Sequence, residues 1–322
     1  RRGAVESSLD ATTSPAPLLN ATQRLNVSDA LPRLSDNAVV VLVMSARNDV
    51  ERRKVIRETW GLHHDNVFFI VGSEACAVPP DHRVAWTCEM KTTPTSESQR
   101  LHDSTVQAED AALHDEASKH PDLILVPMVD YYRALPRKLK ESYRWALAHT
   151  QAKWFLKIDD DAYVRIGELE AVATNWIDKD YTMLAGGFVT GGVARGGKWA
   201  EQKYHPKRYP PFPSGAGHAV NRRLAQWVVD RADSLIEYQG EDTSMGIWMA
   251  EAPFQPTLTK HVTFETHGGN CFNQKKTVIG HNIPAAKMKE CYVKTETHDN
   301  GASISQLKVS PPFMTLMERK RW

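Results

Sequence analysis

The chain has 322 residues, 41% hydrophobic and 25% charged, a mixture that suits one large core or two modest ones and excludes a fibre or wholesale disorder. Forty basic residues against thirty-nine acidic ones leave a formal charge of +1, which excludes the broad basic face that duplex nucleic acid demands. The longest apolar run, residues 38–44, is far too short to span a bilayer.

Residues 1–36 are rich in Ser, Thr, Ala, Pro and Asn without apolar periodicity and read as a disordered stem. The stem carries two glycosylation sequons, at Asn20 and Asn26, and any membrane contact is expected through an anchor preceding Arg1. Residues 37–322 read as a single catalytic domain. Its apolar run 38–44 predicts a buried strand, the basic segment 49–60 a helix, and 66–71 a second strand. A polar helical stretch precedes the strand at 122–126, and Leu135, Leu139, Tyr143 and Ala146 recur at helical spacing before the strand 154–158. Alternation of this kind implies an α/β fold with a mostly parallel, doubly wound sheet flanked by helices. Residues 186–217, with Gly-Gly pairs at 186, 191 and 196, suit loops that approach a ligand. Asn221 then caps a helix carrying Leu224, Trp227, Val228 and Leu235, another helix starts near Glu241, and the tail after Cys291 is weakly patterned. The cysteines fall as Cys76 with Cys88 and Cys271 with Cys291, and two local disulfides are the simplest reading. With the sequons, they point to an oxidising, secretory compartment.

The strand at 154–158 runs into Asp159, Asp160 and Asp161. Alternation along an extended chain puts Asp159 and Asp161 on one side, where two like charges call for a cation, and oxygen ligands suit Mg²⁺ or Mn²⁺. Taken alone, such a triplet also solvates turns and caps helices. Glu241 and Asp242 form a second acidic site at a helix start. Asp242 is placed to take the proton of an acceptor hydroxyl, although a helix N-terminus is expected to keep it ionised and weakly basic. Arg53 and Arg57 stand one helical turn apart as diphosphate or carboxylate partners, and His281 is a candidate third metal ligand.

These segments in this order resemble the β1,3-glycosyltransferase family that includes β1,3-galactosyltransferases, β1,3-N-acetylglucosaminyltransferases and fringe enzymes. The likeness rests on residues 52–60, on Leu156-Lys157-Ile158-Asp159-Asp160-Asp161, on Lys198-Trp199, on residues 209–217 and on Glu241-Asp242, and covers roughly residues 38–292. Within the family, residues 41–47, 241–250 and 269–274 are most similar to the β1,3-galactosyltransferases of the proteoglycan linker. The resemblance implies a GT-A fold, inverting transfer from UDP-galactose to a terminal galactose of a glycan or proteoglycan, Mn²⁺, and residence in the Golgi lumen as a type II membrane protein. It implies that Asp159 and Asp161 form the metal motif with His281 close to metal or diphosphate, that Asp242 is the base, that Ser45 and Ala46 meet the uridine, and that Lys138, Arg53 and Arg57 lie near the nucleotide; Asp160, pointing the other way in an extended strand, is expected at the sugar or ribose. UDP-N-acetylglucosamine or UDP-N-acetylgalactosamine is the neighbouring donor choice. A catalytically silent carbohydrate-binding or chaperone relative would need neither the aspartate pair nor Asp242. The chain departs from the family's pattern at Thr243, where Val is common, at Ala216-Gly217-His218, where Gly-Gly-Tyr is common, and at Ala134-Leu135-Pro136.

Overall fold

The computed structural model describes residues 39–176, 181–215, 217–261, 264, 271 and 277–299. The stem at 1–36, its sequons and all of 269–274 except Cys271 lie outside the described residues.

In chain order the elements are β1 (Val39–Met44), α1 (Val50–Arg57), β2 (Val67–Glu74), α2 (Ser96–Lys119), β3 (Leu123–Val129), α3 (Leu135–His149), β4 (Trp154–Asp159), β5 (Tyr163–Val164), α4 (Ile166–Ala173), β6 (Thr182–Ala185), β7 (Phe188–Val189), β8 (Phe212–Pro213), β9 (Gly217–Asn221), α5 (Arg222–Asp230), α6 (Glu241–Ala250), β10 (Thr257–Lys260), β11 (Ile279–Gly280) and α7 (Ala285–Asp299). Seven strands form one sheet in the order β10-β6-β9-β4-β1-β2-β3. β9 is antiparallel to both its neighbours, and every other pairing in this sheet is parallel.

The unbroken apolar run of β1 is what a strand covered on both faces requires. Val39, Val41 and Val43 face one core with Ile56 of α1, Leu113 of α2, Leu169 of α4 and Met288 of α7. Val40, Leu42 and Met44 face another with Leu139 and Tyr143 of α3, Leu224 and Val228 of α5, and Trp248 of α6. The sheet is therefore doubly wound, as its sequence pattern implies. Local chemistry sets the helix starts. Thr95 accepts from Ser98 N ahead of α2, Asn221 accepts from Leu224 N ahead of α5, and Pro136 occupies the first turn of α3, where a missing N–H costs nothing.

The ends of α1, β2 and β3 differ from the sequence reading by up to three residues, and two differences are larger. α5 stops at Asp230, so Leu235 lies in the loop beyond it. The segment after Cys291 continues α7 to Asp299, tied back by the Cys271–Cys291 disulfide and by Tyr163 donating to Thr295. The second bridge is Cys76–Cys88, so both local pairings form.

Candidate functional site

The carboxyl ends of the parallel strands open on a cleft of about 790 Å³. It is entered by Ser45 and Ala46 after β1, Asp130 after β3, Asp159–Asp161 after β4, Asp242 at the start of α6, and His281 after β11.

β4 ends at Asp159, and Ala162 N closes a turn on Asp159 O at 3.1 Å, so Asp160 and Asp161 occupy a turn instead of extending the strand. The outcome matches the alternation expected from sequence, but the turn produces it. Asp159, Asp161 and His281 offer ligand atoms that all lie within 4.8 Å of one another. His281 Nε2 is 3.5 Å from Asp161 Oδ1 and 4.0 Å from Asp159 Oδ2. The two-stranded antiparallel pair of β5 with β11 brings this histidine across more than a hundred residues of sequence, and Ile283 N anchors the turn by donating to Asp161 O at 2.8 Å. Asp160 turns elsewhere and accepts from Arg52 Nη1 at 3.0 Å. Burial, with Asp49 nearby, pushes the Asp160 carboxyl up to about 6.

Beneath the aspartates sits Lys157, 1% exposed on β4, with its ammonium 2.8 Å from Asp159 Oδ1 and 2.5 Å from Glu241 Oε1. Burial opposes its charge, but the two carboxylates outweigh burial and hold the ammonium above its ordinary range. Glu241 is also buried, and Lys157 nonetheless keeps its carboxyl below the usual value. Opposite Lys157 in the β4–β9 register is His218, which burial and the Lys157 charge push down to about 3, leaving a neutral ring 3.3 Å from the Tyr143 hydroxyl. Asp242 accepts from Thr243 N at 2.7 Å. Contrary to the expectation of a firmly ionised carboxylate, burial and then the Glu241 charge raise its carboxyl to about 7, the range in which a carboxylate is an effective base near neutral pH.

The two arginines expected at a diphosphate are placed differently. Arg53 is fully buried and donates to both oxygens of Glu116, at 2.9 and 2.7 Å, and also to Ser45 Oγ and the carbonyls of Ala46 and Arg47. Arg57 forks onto Asp122 at 2.8 Å through two nitrogens and reaches Glu116 at 2.7 Å. Both are consumed by carboxylates of this chain, and neither lines the cleft. Arg53 acts on the cleft indirectly, by fixing the β1–α1 loop. Lys138 does line it, with Nζ 2.7 Å from both Ser45 O and Asp130 Oδ1.

Sequence reasoning gave Lys157 and His218 no role. For Lys157 the signal was present, since a lysine inside an apolar strand must find a buried partner. Nothing in spacing linked His218 to Tyr143.

Residues 102–258 match the family model described as Galactosyltransferase. A UDP-GalNAc:beta-1,3-N-acetylgalactosaminyltransferase 2 of Mus musculus is 40% identical over 161 residues, covering 48% of this chain and 31% of that protein. A Beta-1,3-galactosyltransferase 6 of Mus musculus is 27% identical over 243 residues, covering 73% of this chain and 67% of that protein. The chain thus spans about 31% of the length of the first of these relatives. A solved galactosyltransferase, LgtC, with donor and acceptor sugar analogs, aligns with 80% of this chain and 95% of its own at 11% identity and a TM-score of 0.33. The sheet order, with one reversed strand beside β4 and an acidic triplet at the carboxyl edge, is the doubly wound α/β architecture expected from the sequence pattern.

Proposed function

We propose, for a chain that carries a galactosyltransferase-family segment, an inverting, divalent-metal-dependent β1,3-glycosyltransferase that moves a hexose from a UDP-sugar to a glycan hydroxyl. The observation that carries this reading is that Asp159, Asp161 and His281 share one cleft with Asp242.

The first group fits a cation. Asp161 Oδ1 is buried with no hydrogen-bond partner beyond the long approach of His281, and Asp159 keeps Oδ2 on the histidine side while Lys157 takes Oδ1. Two carboxylates and one imidazole suit Mn²⁺. A cation held by these residues would supply charge neutralisation for a departing diphosphate. Asp242 takes the proton of the acceptor hydroxyl, whose oxygen bonds to the anomeric carbon as that carbon's bond to the diphosphate oxygen breaks. UDP leaves with the electron pair, and single displacement inverts the centre. Lys157 holds Asp159 and Glu241 in place beneath this step. Ser45, Ala46 and Lys138 form the nucleotide end of the cleft, with Asp160 nearer the sugar or ribose.

Galactose as the transferred sugar is supported by the relative named a beta-1,3-galactosyltransferase and aligned over 73% of the chain, and a terminal galactose of the proteoglycan linker as acceptor follows from the resemblance of residues 41–47, 241–250 and 269–274. N-acetylgalactosamine transfer is supported equally by the relative at 40% identity. Two disulfides suit the Golgi lumen, and the type II anchor belongs to the same proposal. Among the described residues no helix is long and apolar enough to cross a membrane. The test is a screen of UDP-galactose, UDP-N-acetylgalactosamine and UDP-N-acetylglucosamine with Mn²⁺ on galactose- and N-acetylglucosamine-terminated acceptors, followed by linkage analysis. Transfer should fall at least ~10²-fold in Asp242→Asn. Normal transfer by that variant, or UDP binding without transfer from any donor, sinks the proposal.

A further inference from the structure

Gln239 lies three residues before Asp242 and lines the same cleft, yet is only 8% exposed. Its backbone N–H donates to Glu201 Oε2 at 2.7 Å. Glu201 is 2% exposed, and its other oxygen accepts from the backbone N–H groups of Lys203 and Tyr204. A buried carboxylate satisfied by backbone donors is a rigid clamp. It joins the loop that carries Lys198 and Trp199 to the segment presenting Asp242.

The side chain of Gln239 is oriented just as specifically. Thr243 Oγ1 donates its single proton to Gly240 O at 3.1 Å, so it offers only lone pairs to the Gln239 amide 3.3 Å away. The amide must therefore present Nε2 to Thr243. That leaves the carbonyl oxygen on the other side, buried and without a hydrogen-bond partner. Buried acceptors are seldom left unsatisfied, and the last torsion of a glutamine is soft enough to turn this oxygen toward a group arriving in the cleft.

We propose that Gln239 is an acceptor-reading residue: its side-chain carbonyl accepts from a hydroxyl of the acceptor sugar next to the one Asp242 deprotonates. Thr243 sets the amide's direction and Glu201 its place. The ligand class is a neutral hexopyranose with adjacent free hydroxyls, and the inference rests on the reading of Asp242 as base. It also gives a role to Thr243, where the resembling family commonly has Val and so lacks the hydroxyl that orients the amide.

The test uses the whole chain with UDP-sugar and Mn²⁺, the parent acceptor and its monodeoxy analogues, in wild type, Gln239→Leu and Thr243→Val. A site built to bond a hydroxyl rejects the analogue lacking it. Wild type should lose roughly tenfold or more in kcat/KM on one analogue whose missing hydroxyl is not the reacting one. Gln239→Leu should lose a similar factor on the parent acceptor and ignore that deoxygenation, and Thr243→Val should discriminate less than wild type. Donor KM and UDP affinity should be unchanged in both, and saturation-transfer NMR with UDP present should lose the contact at the same hydroxyl. Thr243→Val is near-isosteric and keeps the test open if Gln239→Leu fails to fold. Indifference of wild type to every non-reacting hydroxyl, or unaltered discrimination in the folded variants, overturns the assignment. Active wild type alongside inactive Asp242→Asn shows that such a failure belongs to Gln239, whereas absence of transfer by wild type overturns both readings.

Discussion

Replacing Lys157 by Met keeps the length of the side chain and removes one charge from a group 1% exposed between Asp159, at 2.8 Å, and Glu241, at 2.5 Å. Removing one partner of a buried ion pair leaves the other uncompensated, at a cost of about 3–5 kcal/mol. The cost has a pH signature. With Lys157 present, the Glu241 carboxyl is held below its ordinary value, so its contribution is present above that value and lost as pH falls through the depressed folded one. The Lys157 ammonium is held above its ordinary value, so its contribution is complete at every pH below that value and stays constant across the neutral and acidic range. Without the lysine, burial, the largest influence on Glu241, is opposed only by a backbone hydrogen bond and His218, and the carboxyl should titrate above its ordinary value. The variant then gains stability on acidification, as the folded state takes up a proton that the unfolded chain does not. Urea unfolding at roughly pH 7.5 and pH 5 should show the full deficit at the higher pH and a clearly smaller one at the lower. A deficit under about 1 kcal/mol at the higher pH, or equal deficits at both, would refute this account of the buried triad.

In the role proposed for it as base, Asp242, raised to about 7 by burial and Glu241, is protonated and idle below that pH, and kcat/KM should rise through it with a slope of one proton; a flat profile from about pH 5 to 8 contradicts this role. Gly246→Ala should destabilise by about 1–3 kcal/mol despite the helix propensity gained, and should slow transfer. Its Cβ would sit 2.5 Å from Phe212 Cβ and 2.8 Å from Pro211 O, and a backbone carbonyl does not swing aside, so α6 and Asp242 with it must shift; unchanged stability by thermal unfolding would refute the packing. Asp161→Asn should weaken Mn²⁺-dependent UDP binding by about 10–100-fold in calorimetry, and chelation should abolish it in the parent; equal affinity without metal contradicts the cation site.

Much of the fold was legible because the chemistry was local. The apolar runs of β1 and β4 and the helical spacing of Leu135, Leu139, Tyr143 and Ala146 are burial patterns that only a covered sheet and an amphipathic helix satisfy. α5 was over-extended because Leu235, apolar and at nearly the right spacing, follows a turn that periodicity does not register. In the site, the aspartate triplet was visible and its geometry was not. A strand argument and a turn happen to converge on the same pair, and His281 joins them only through the register of β5 with β11. The arginine pair shows the opposite limit. Helical spacing fixed their common face but could not tell a ligand from Glu116, which arrives from α2 about sixty residues later.

That same contact bears on how the cleft would meet the nucleotide proposed for it. Arg53 occupies the carbonyls of Ala46 and Arg47, and Lys138 that of Ser45, so three consecutive peptide units are tied down before any ligand arrives. Little ordering remains to oppose association at that end. A substitution at Glu116, out on the long helix, should therefore register as a larger entropic penalty on binding and as faster amide exchange in residues 45–47, with the contact surface itself intact.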